Sequence, residues 1–316
     1  MRINSPYFYL AFFLILNIFN FVDRNLLIAF APQIKSEFNL TNVQWGLLTG
    51  VYFLFFYSVF GIFMGVLGDK FSRMKIAAAG VFLWSLMTAV TGIAKNFSHL
   101  IFARALIGVG ESALTPNAIS MLSDLFKQNQ RGTASAIYYL GIPLGVGFGM
   151  LIAAFFGPIF GWRAVFIFLG LIGMGLGILT YFLFEPIRGQ LDINFDKTSK
   201  PNSIKDILSM TKSALYNSKC LTFVIIGSIF LHIPLGAGNF EVLWAVNERG
   251  FTASSYNSLF GFLFIIGGTV GALAGGILSD RLSHYFKGGV MTFLVISYII
   301  LTPLTVSYRF ISPDSY

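Results

Sequence analysis

Apolar residues fill nine long runs along the 316-residue chain, and short polar segments separate these runs. Each run is close to the ~20 apolar residues that a helix needs to cross the ~30 Å hydrocarbon core of a bilayer. The pattern therefore predicts an all-α polytopic membrane protein with nine spans. The predicted spans are Tyr7–Ala31, Val43–Leu67, Lys75–Ala94, Ser98–Leu122, Thr133–Gly157, Trp162–Phe184, Cys220–Val246, Ser255–Leu278 and Gly289–Ser307.

The cations between these spans lie mostly on one side. Counted over alternate loops, 14 lysines and arginines lie on the side of the N-terminus and 5 lie on the other side. Lysine and arginine accumulate in the cytoplasmic loops of membrane proteins. We therefore expect a cytoplasmic N-terminus and a multi-pass protein of the plasma membrane, which is the inner membrane in a bacterium.

The composition agrees with a membrane protein, and it makes several classes of function improbable for this chain. Hydrophobic residues make up 56% of the chain and charged residues 11%, whereas soluble domains carry about 25% charged residues. The net charge of +8 follows from the loop cations, so we predict no nucleic-acid partner. The chain has no Walker loop, and its three histidines and one cysteine lack metal-site spacing, so we predict neither an enzyme nor a metal or cofactor site.

A short polar phrase occurs twice, and it divides the chain. The segment Gly65–Arg73 returns as Gly276–His284, with Asp69 and Asp280 in the same register. Each copy follows the second span of its half, so the chain reads as a duplicated protein. We expect residues 1–184 to form a complete six-helix bundle and 220–316 to form three helices of a second bundle, whose last three helices are lacking. Residues 185–219 are expected to be a cytoplasmic linker with a possible amphipathic helix at 203–216.

Several charged residues fall inside the predicted spans. A central charge costs about 2.5–3.5 kcal/mol on insertion scales, so such residues pair, become neutral or face a wet cavity. Arg104 and Glu111 are seven residues apart and share one helix face, whereas Asp23 and Arg24 point about 100° apart. We expect Asp23 and Glu111 to lie near Arg104 or Arg24. The alternative to a functional site is a structural ion pair that joins the first and fourth spans.

The seventh span carries a break and another acidic residue. Proline and glycines between Pro234 and Gly238 weaken the helix, as in helices that line a cavity. Glu241 either lines an outer cavity or reaches the interface beside Trp244. His232 is interpreted as an ordinary polar residue of this span.

The repeated phrase and the helix pattern together resemble the major facilitator superfamily. The pattern Gly-x-x-x-Asp-cation, with Asp69 and Asp280, is similar to the signature loop of that family. A narrower resemblance is to the spinster-like branch, through Phe21–Arg24, Arg104–Ser112 and Tyr138–Gly145. Organic anion:cation symporters of the same superfamily share some of these phrases. The glycines of the fifth span match the antiporter motif only loosely.

The resemblance implies two six-helix bundles around a substrate cavity, and a loop that closes the cytoplasmic side. Asp69 is expected to accept amides at the start of the third span and to pair with Lys70, Arg73 or Arg131. We assign the cytoplasmic gate to residues that surround the two copies of the phrase. They are Gly65, Asp69, Arg73, Arg131, Asp280 and Arg281.

The predicted function is secondary active transport by alternating access, coupled to protons. The resemblance implies that Asp23 and Glu111 exchange protons, while Arg104 serves as their counter-charge or as a ligand for an anionic substrate. The site for protons or substrate is assigned to Asp23, Arg24, Arg104, Glu111 and Glu241. The substrate is expected to be an organic anion or an amphiphile. Alternatives are an organic anion:cation symporter of another branch and a truncated membrane protein that transports nothing.

Overall fold

A computed structural model describes residues 5–191, 209, 213, 215–282, 285, 289–307 and 310, and these residues are almost entirely helical, without a strand. Six helical stretches in this part of the chain are long and apolar enough to cross a membrane. They are Pro6–Ala29, Asn42–Lys70, Arg73–Gly92, Phe97–Leu125, Arg131–Tyr181 and Ala253–Ser279. Most of the amphipathic helix predicted at 203–216 lies outside the described residues.

The helices follow the predicted spans, with additional breaks. In chain order they are α1 Pro6–Ala29, α2 Ala31–Glu37, α3 Asn42–Gly46, α4 Tyr52–Lys70, α5 Arg73–Gly92, α6 Phe97–Glu111, α7 Leu114–Leu125, α8 Arg131–Tyr139, α9 Gly141–Tyr181, α10 Lys219–Ala237, α11 Glu241–Arg249, α12 Ala253–Leu282 and α13 Gly289–Ser307. A π-helical turn, Leu47–Val51, joins α3 to α4, and a 3₁₀ turn, Gly238–Phe240, joins α10 to α11. The predicted break of the seventh span therefore falls just after Ala237.

Helix α9 contains two predicted spans and a sharp bend between them. Its 41 residues are helical except at Gly161, where φ is 76° and ψ is 158°. A residue with a Cβ adopts a positive φ only at a cost, so glycine permits this bend. Pro158, just before the bend, cannot donate a backbone hydrogen bond. The bend separates the fifth and sixth spans where the sequence predicted a loop.

The fourth span is broken beside one of the predicted site residues. Helix α6 ends at Glu111 and α7 begins at Leu114. The hydroxyl of Ser112 donates a hydrogen bond to the carbonyl of Val109 at 2.7 Å, which satisfies one backbone acceptor at the break. The interruption positions the carboxylate of Glu111 at a helix end in the middle of the bundle.

Small residues bring the first six spans close together. A Cβ at Gly110 of α6 would lie 2.8 Å from the carbonyl oxygen of Gly80 on α5, and a Cβ at Gly170 of α9 would lie 2.5 Å from the backbone nitrogen of Ala89 on α5. In a membrane the hydrophobic effect does not drive helices together, because lipid tails are as apolar as the helix surface. Close backbone approach at small residues provides the van der Waals packing that does. Helices α1 and α5 consequently pack along α9.

Several contacts between the first six spans and the later helices lie at one end of the molecule. The side-chain amide of Asn257 donates to the carbonyl of Ala29 at 2.9 Å, and the indole of Trp45 donates to the carbonyl of Asn239 at 2.9 Å. Leu243 packs into the same apolar cluster as Trp45 and Phe166. These contacts lie at the end opposite the α4–α5 turn, which we call the outer end.

Candidate functional site

An ion pair links α1 to the end of α6. The Nε atom of Arg24 donates a hydrogen bond to Oε2 of Glu111, and these two residues are 87 positions apart in the sequence. The Glu111 side chain is fully buried, whereas 20% of the Arg24 side chain is exposed. A carboxylate without water is stabilised by such a partner. The pair therefore has one accessible member, the arginine.

Aromatic rings surround the two arginines of the site. The Cζ atom of Arg24 lies 5.0, 4.8 and 4.6 Å from the ring centroids of Phe21, Phe53 and Tyr57. The Cζ atom of Arg104 lies 4.4 Å from the centroid of Phe53, so this ring stands between both cations. Cations are attracted to ring faces at these distances. The rings therefore pack against both guanidinium groups, and Nε of Arg24 also donates to Glu111.

Asp23 turns away from Arg24 and toward α5. Its Oδ2 atom accepts a hydrogen bond from the hydroxyl of Thr88 at 2.6 Å, and only 3% of the residue is exposed. The backbone geometry explains the divergence, since adjacent residues on a helix point about 100° apart. Asp23 and Arg24 consequently have different partners, as the sequence predicted they would need.

Two buried polar atoms of the cluster have no hydrogen-bond partner among the described residues, namely Oδ1 of Asp23 and Nε of Arg104. Asp23, Arg104 and Glu111 are all less than 6% exposed. Buried polar atoms are usually satisfied by protein or water, and exceptions concentrate at functional sites. Two carboxylates and two arginines give the cluster no net charge when both acids are ionised, and a positive charge when either is protonated.

Phe53, Tyr57 and Thr88 contact the charged cluster but were not predicted from the sequence. Phe53 and Tyr57 are four residues apart and their rings stack at 5.6 Å, so the spacing of α4 carried a signal. That signal is difficult to distinguish in a chain with 36 phenylalanines. Thr88 offered no sequence signal, because its role depends on how α5 packs against α1.

Glu241 lies apart from this cluster along the chain, at the beginning of α11. It is partly buried, and its neighbours Phe240 and Leu243 pack against the apolar cluster of the first six spans. Glu241 is therefore positioned at the contact near the outer end. The side chain of His232 lies outside the described part of α10.

Arg73, a predicted gate residue, is buried in a network at the other end. Its Nη1 atom lies 2.5 Å from Oδ2 of Asp124, and its Nε atom lies 2.8 Å from Oε1 of Glu185. It also donates to the hydroxyl of Ser120 at 2.9 Å and to the carbonyl of Pro186 at 3.0 Å. The guanidinium joins the start of α5, the end of α7 and the segment after α9.

The contacts predicted for Asp69 were wrong. Its side chain is exposed on the last turn of α4, and no salt bridge in the described part of the chain reaches its carboxylate. Ser72, not Asp69, accepts the amide hydrogen bond at the start of α5, because it is the residue at the N-cap. Arg73 forms ion pairs with Asp124 and Glu185 instead of Asp69, because these two carboxylates face the buried start of α5.

The carbonyls around Asp69 nevertheless have a cationic partner. Arg188 donates to the carbonyl oxygens of Gly68, Asp69 and Phe71 at 2.7, 2.6 and 2.5 Å. These carbonyls end α4, and a cation at a helix C-terminus is favourable. The segment after α9 thus holds the α4–α5 turn through its backbone.

The other predicted gate residues are spread over this end. Arg131 begins α8 and donates from Nε to the carbonyl of Phe126 at 3.2 Å. Gly65 has open space where a Cβ would be, and Arg281 is exposed near the end of α12. The side chain of Asp280 lies outside the described residues. No ion pair between the described residues joins the two copies of the repeated phrase.

The family comparison matches nearly the whole chain. The model of the Major Facilitator Superfamily matches residues 13–313. The chain belongs to the major facilitator superfamily. This is a family of membrane transporters and not a class of enzymes. The predicted fold class, all-α with a complete first bundle and part of a second, is confirmed.

Relatives of the chain within the superfamily include spinster proteins. Protein spinster of Drosophila melanogaster is 26% identical over 313 residues, which cover 95% of this chain and 50% of that protein. The sphingosine-1-phosphate transporter SPNS2 of Danio rerio is 32% identical over 180 residues, which cover 56% of this chain and 36% of that protein. The predicted spinster-like resemblance is confirmed. The chain spans about half the length of the Drosophila relative.

Two further matches extend the comparison. The probable L-galactonate transporter of Escherichia coli (strain K12) is 26% identical over 285 residues, which cover 86% of this chain and 60% of that protein. A crystal structure of a bacterial homologue to the human lysosomal transporter spinster, inward-facing and unoccupied, matches with a TM-score of 0.76 at 24% identity. That match covers 90% of this chain and 64% of the other, and it supports the major facilitator fold.

Proposed function

We propose that this chain acts in secondary active transport, coupled to protons, and that it works by alternating access. The observation that carries the proposal is the buried cluster of Asp23, Arg24, Arg104 and Glu111. Ionisable residues inside spans are costly, and they mark substrate or ion pathways. The cluster lies in a chain of the major facilitator superfamily, whose members are transporters.

The proposed coupling step is competition for Arg24. When Glu111 is ionised, its carboxylate occupies the partly exposed guanidinium. Protonation of Glu111 removes the negative charge and weakens the pair, which leaves Arg24 to bind an anionic group. Arg24 favours the ionised form of Glu111, because an opposite charge within about 4–6 Å stabilises a carboxylate. An anionic ligand would pair with the same guanidinium, so the ligand and the ionised carboxylate exclude each other. The two arginines then carry the positive charge that the ligand neutralises.

The proposed substrate is an organic anion or an amphiphile. Arg24 supplies a cation for an acidic group, and Phe21, Phe53 and Tyr57 supply apolar surface beside it. Two relatives support these classes: one is named a sphingosine-1-phosphate transporter and another a probable L-galactonate transporter. The first compound pairs a phosphate with an apolar chain, and the second is a sugar acid.

The proposed gate lies at the end that carries the α4–α5 turn, which the loop cations assign to the cytoplasm. Arg73 and Arg188 tie this end of the first bundle together. We assign the closing contacts against the second bundle to Gly65, Asp69, Arg131, Asp280 and Arg281. The exposure of Asp69 and Arg281 supports this assignment, because both side chains are accessible to a partner. Contacts at the outer end, such as Asn257 with Ala29, support an inward-facing arrangement.

The test is flux through the purified protein in liposomes. Sphingosine-1-phosphate and L-galactonate are offered with and without a pH gradient, and uptake is measured for the wild type and for Glu111→Gln. We expect the gradient to drive uptake of one compound and the substitution to abolish the pH-driven part. Glu248→Gln, an exposed glutamate on α11, is the matched control. Wild-type, pH-driven uptake by Glu111→Gln would remove the coupling role.

A second candidate is an organic anion:cation symporter of another branch. The L-galactonate relative favours this candidate, since its similarity covers 86% of this chain. A sodium gradient imposed at equal pH tests whether the coupling cation is sodium, because a carrier coupled only to protons does not respond to it. The absence of flux under either gradient would indicate a membrane protein that does not transport.

A further inference from the structure

Arg104 is a buried cation to which the described residues supply no ion pair. Its Nε atom also has no hydrogen-bond partner among them. The carboxylates of the cluster are engaged elsewhere, because Glu111 pairs with Arg24 and Asp23 accepts a hydrogen bond from Thr88. A buried charge is costly unless a partner stabilises it. The charge of Arg104 therefore depends on a contact other than a salt bridge.

The ring of Phe53 supplies that contact. Cζ of Arg104 lies 4.4 Å from the ring centroid, and the phenylalanine is itself buried. The attraction of a cation to a ring face strengthens where water is excluded. Cζ of Arg24 lies 4.8 Å from the same centroid, so one apolar side chain stabilises both cations of the cluster.

The position of this ring is set by the contact between α4 and α6. A Cβ at Gly108 of α6 would lie 2.8 Å from the carbonyl oxygen of Phe53 and 3.2 Å from the backbone nitrogen of Tyr57. Gly108 follows Arg104 by about one helical turn, so α4 lies directly against α6 at this level. The rings of Phe53 and Tyr57 stack with their centroids 5.6 Å apart. Backbone packing and ring stacking therefore hold the ring beside Arg104.

Asp23 is the alternative partner of Arg104. Both residues line one small internal cavity, and Oδ1 of Asp23 has no hydrogen-bond partner among the described residues. A guanidinium without the ring of Phe53 would gain by pairing with this carboxylate, since charge-assisted hydrogen bonds are strong. An ion pair between Arg104 and Asp23 would neutralise the cation and withdraw it from an anionic ligand.

We propose that Phe53 is a positioning residue of the anion site, whose ring holds Arg104 away from Asp23 and so keeps this second cation available to the ligand. Phe53 acts through Arg104 and does not itself have to contact the ligand. The proposal rests on the proposed function, because it assumes an anionic substrate. It adds a residue of α4 to a site whose charges all belong to α1 and α6.

The first test replaces Phe53 in the full chain with 4-fluoro- and 3,4,5-trifluorophenylalanine. Fluorine draws electrons from the ring face and weakens its attraction for a cation, while the shape of the ring changes little. We expect the unfolding temperature in detergent to fall stepwise, by about 1–4 °C over the series. The fall should be smaller with Arg104→Met, because only Arg24 then remains beside the ring.

Phe56 provides the matched control on the same helix. Its ring contacts the rings of Phe55 and Phe60 rather than a guanidinium. The same fluorinated residues at position 56 should leave the unfolding temperature unchanged. An equal response at positions 53 and 56, or a response at 53 that Arg104→Met does not reduce, would overturn the proposal.

The second test measures equilibrium binding of radiolabelled sphingosine-1-phosphate and L-galactonate to the purified full chain. We expect Phe53→Leu to weaken binding about tenfold, and Phe53→Tyr to retain it because a ring remains. Phe53→Leu with Asp23→Asn should bind as tightly as Asp23→Asn alone, since no carboxylate then captures Arg104. A loss in Phe53→Leu that is the same with aspartate or asparagine at position 23 would contradict the proposal.

Failure of the proposed function has a different signature. A wild-type protein that binds neither compound would lack the anion site, yet its unfolding temperature would still depend on fluorination at position 53. The fluorinated series then decides by itself whether Phe53 positions Arg104. It also decides this point if Phe53→Leu folds poorly, because the fluorinated residues keep the ring in place.

Discussion

Arg73 joins the start of α5 to the end of α7 and to the segment after α9 through a single side chain. Its guanidinium is 4% exposed and contacts Asp124, Glu185, Ser120 and the carbonyl of Pro186. The planar group offers five donors in a fixed geometry, which lysine cannot reproduce. Removing it leaves the buried carboxylate of Asp124 without its cation.

We predict that Arg73→Ala destabilises the protein by about 3–5 kcal/mol, the cost of breaking a buried ion pair by removing one partner. The measurement is the thermal unfolding of the purified protein in detergent. Lys70→Ala, an exposed cation three residues earlier, serves as the control and should change little. Equal unfolding temperatures for the two variants would contradict the structural role.

Glu37 provides a pH-dependent contact at the outer end. Hydrogen bonds from Arg163, with Nη2 at 2.6 Å from Oε1, hold the pKa of Glu37 below its ordinary value. A lowered folded-state pKa means that the ionised form stabilises the fold above the pKa of the unfolded chain. This contribution disappears as the pH falls through the lower, folded value.

Glu37→Gln should therefore flatten the acid side of the stability profile, while leaving its shape at alkaline pH unchanged. Unfolding temperatures recorded between neutral and strongly acidic pH test this expectation. Glu248→Gln changes an exposed glutamate and should leave the profile as in the wild type. A Glu37→Gln profile that keeps the full acid-side loss would refute the assignment.

At the scale of helices, α9 and α12 cross closely and join the two parts of the chain. A Cβ at Gly147 would lie 2.6 Å from the carbonyl oxygen of Gly261. The hydroxyl of Ser254 donates to the carbonyl of Ala154 at 2.7 Å, nearer the outer end. Glycine at the crossing thus sets the distance between these helices.

We predict that Gly147→Ala costs about 1–3 kcal/mol, because an added methyl group overpacks the crossing. Gly175→Ala on the same helix meets open space and should be neutral or slightly stabilising. Thermal unfolding in detergent compares the two. A neutral Gly147→Ala would mean that α9 and α12 are not held this closely.

The sequence predicted the helices and the charged cluster well, because apolar runs and charges inside them are recognisable from residue type alone. Nine apolar runs gave the spans, and the cost of buried charge pointed to Asp23, Arg24, Arg104 and Glu111. The partners of Arg73 could not be predicted, since Asp124 and Glu185 are 51 and 112 residues away. Phe53 and Thr88 depend in the same way on helix rotation and packing. The end of the second span was predicted at Leu67, whereas α4 continues to Lys70 and has Phe71 at its C-cap.

For the whole molecule, polar contacts at the outer end hold the two parts together. Trp45 with Asn239, and Asn257 with Ala29, bond across this contact, and Leu243 is 7% exposed within it. Their loss would shift the population toward a state that is open at this end.

We predict that Asn257→Ala with Trp45→Phe raises the labelling rate of a cysteine at position 243. The single native Cys220 is first replaced by serine, and a membrane-impermeant maleimide is added from outside. The same cysteine without the two substitutions is the reference. An unchanged rate would show that these bonds do not keep the outer end closed.

The pairing of Arg24 with Glu111 also sets an order for biosynthesis. At about 5–20 residues per second, the 87 residues between them take roughly 4 to 17 seconds to translate. During this interval Arg24 lacks the carboxylate of Glu111, while Asp23 gains Thr88 after only 65 residues. We therefore expect α1 to gain its full stability in the lipid only after the fourth span has been made.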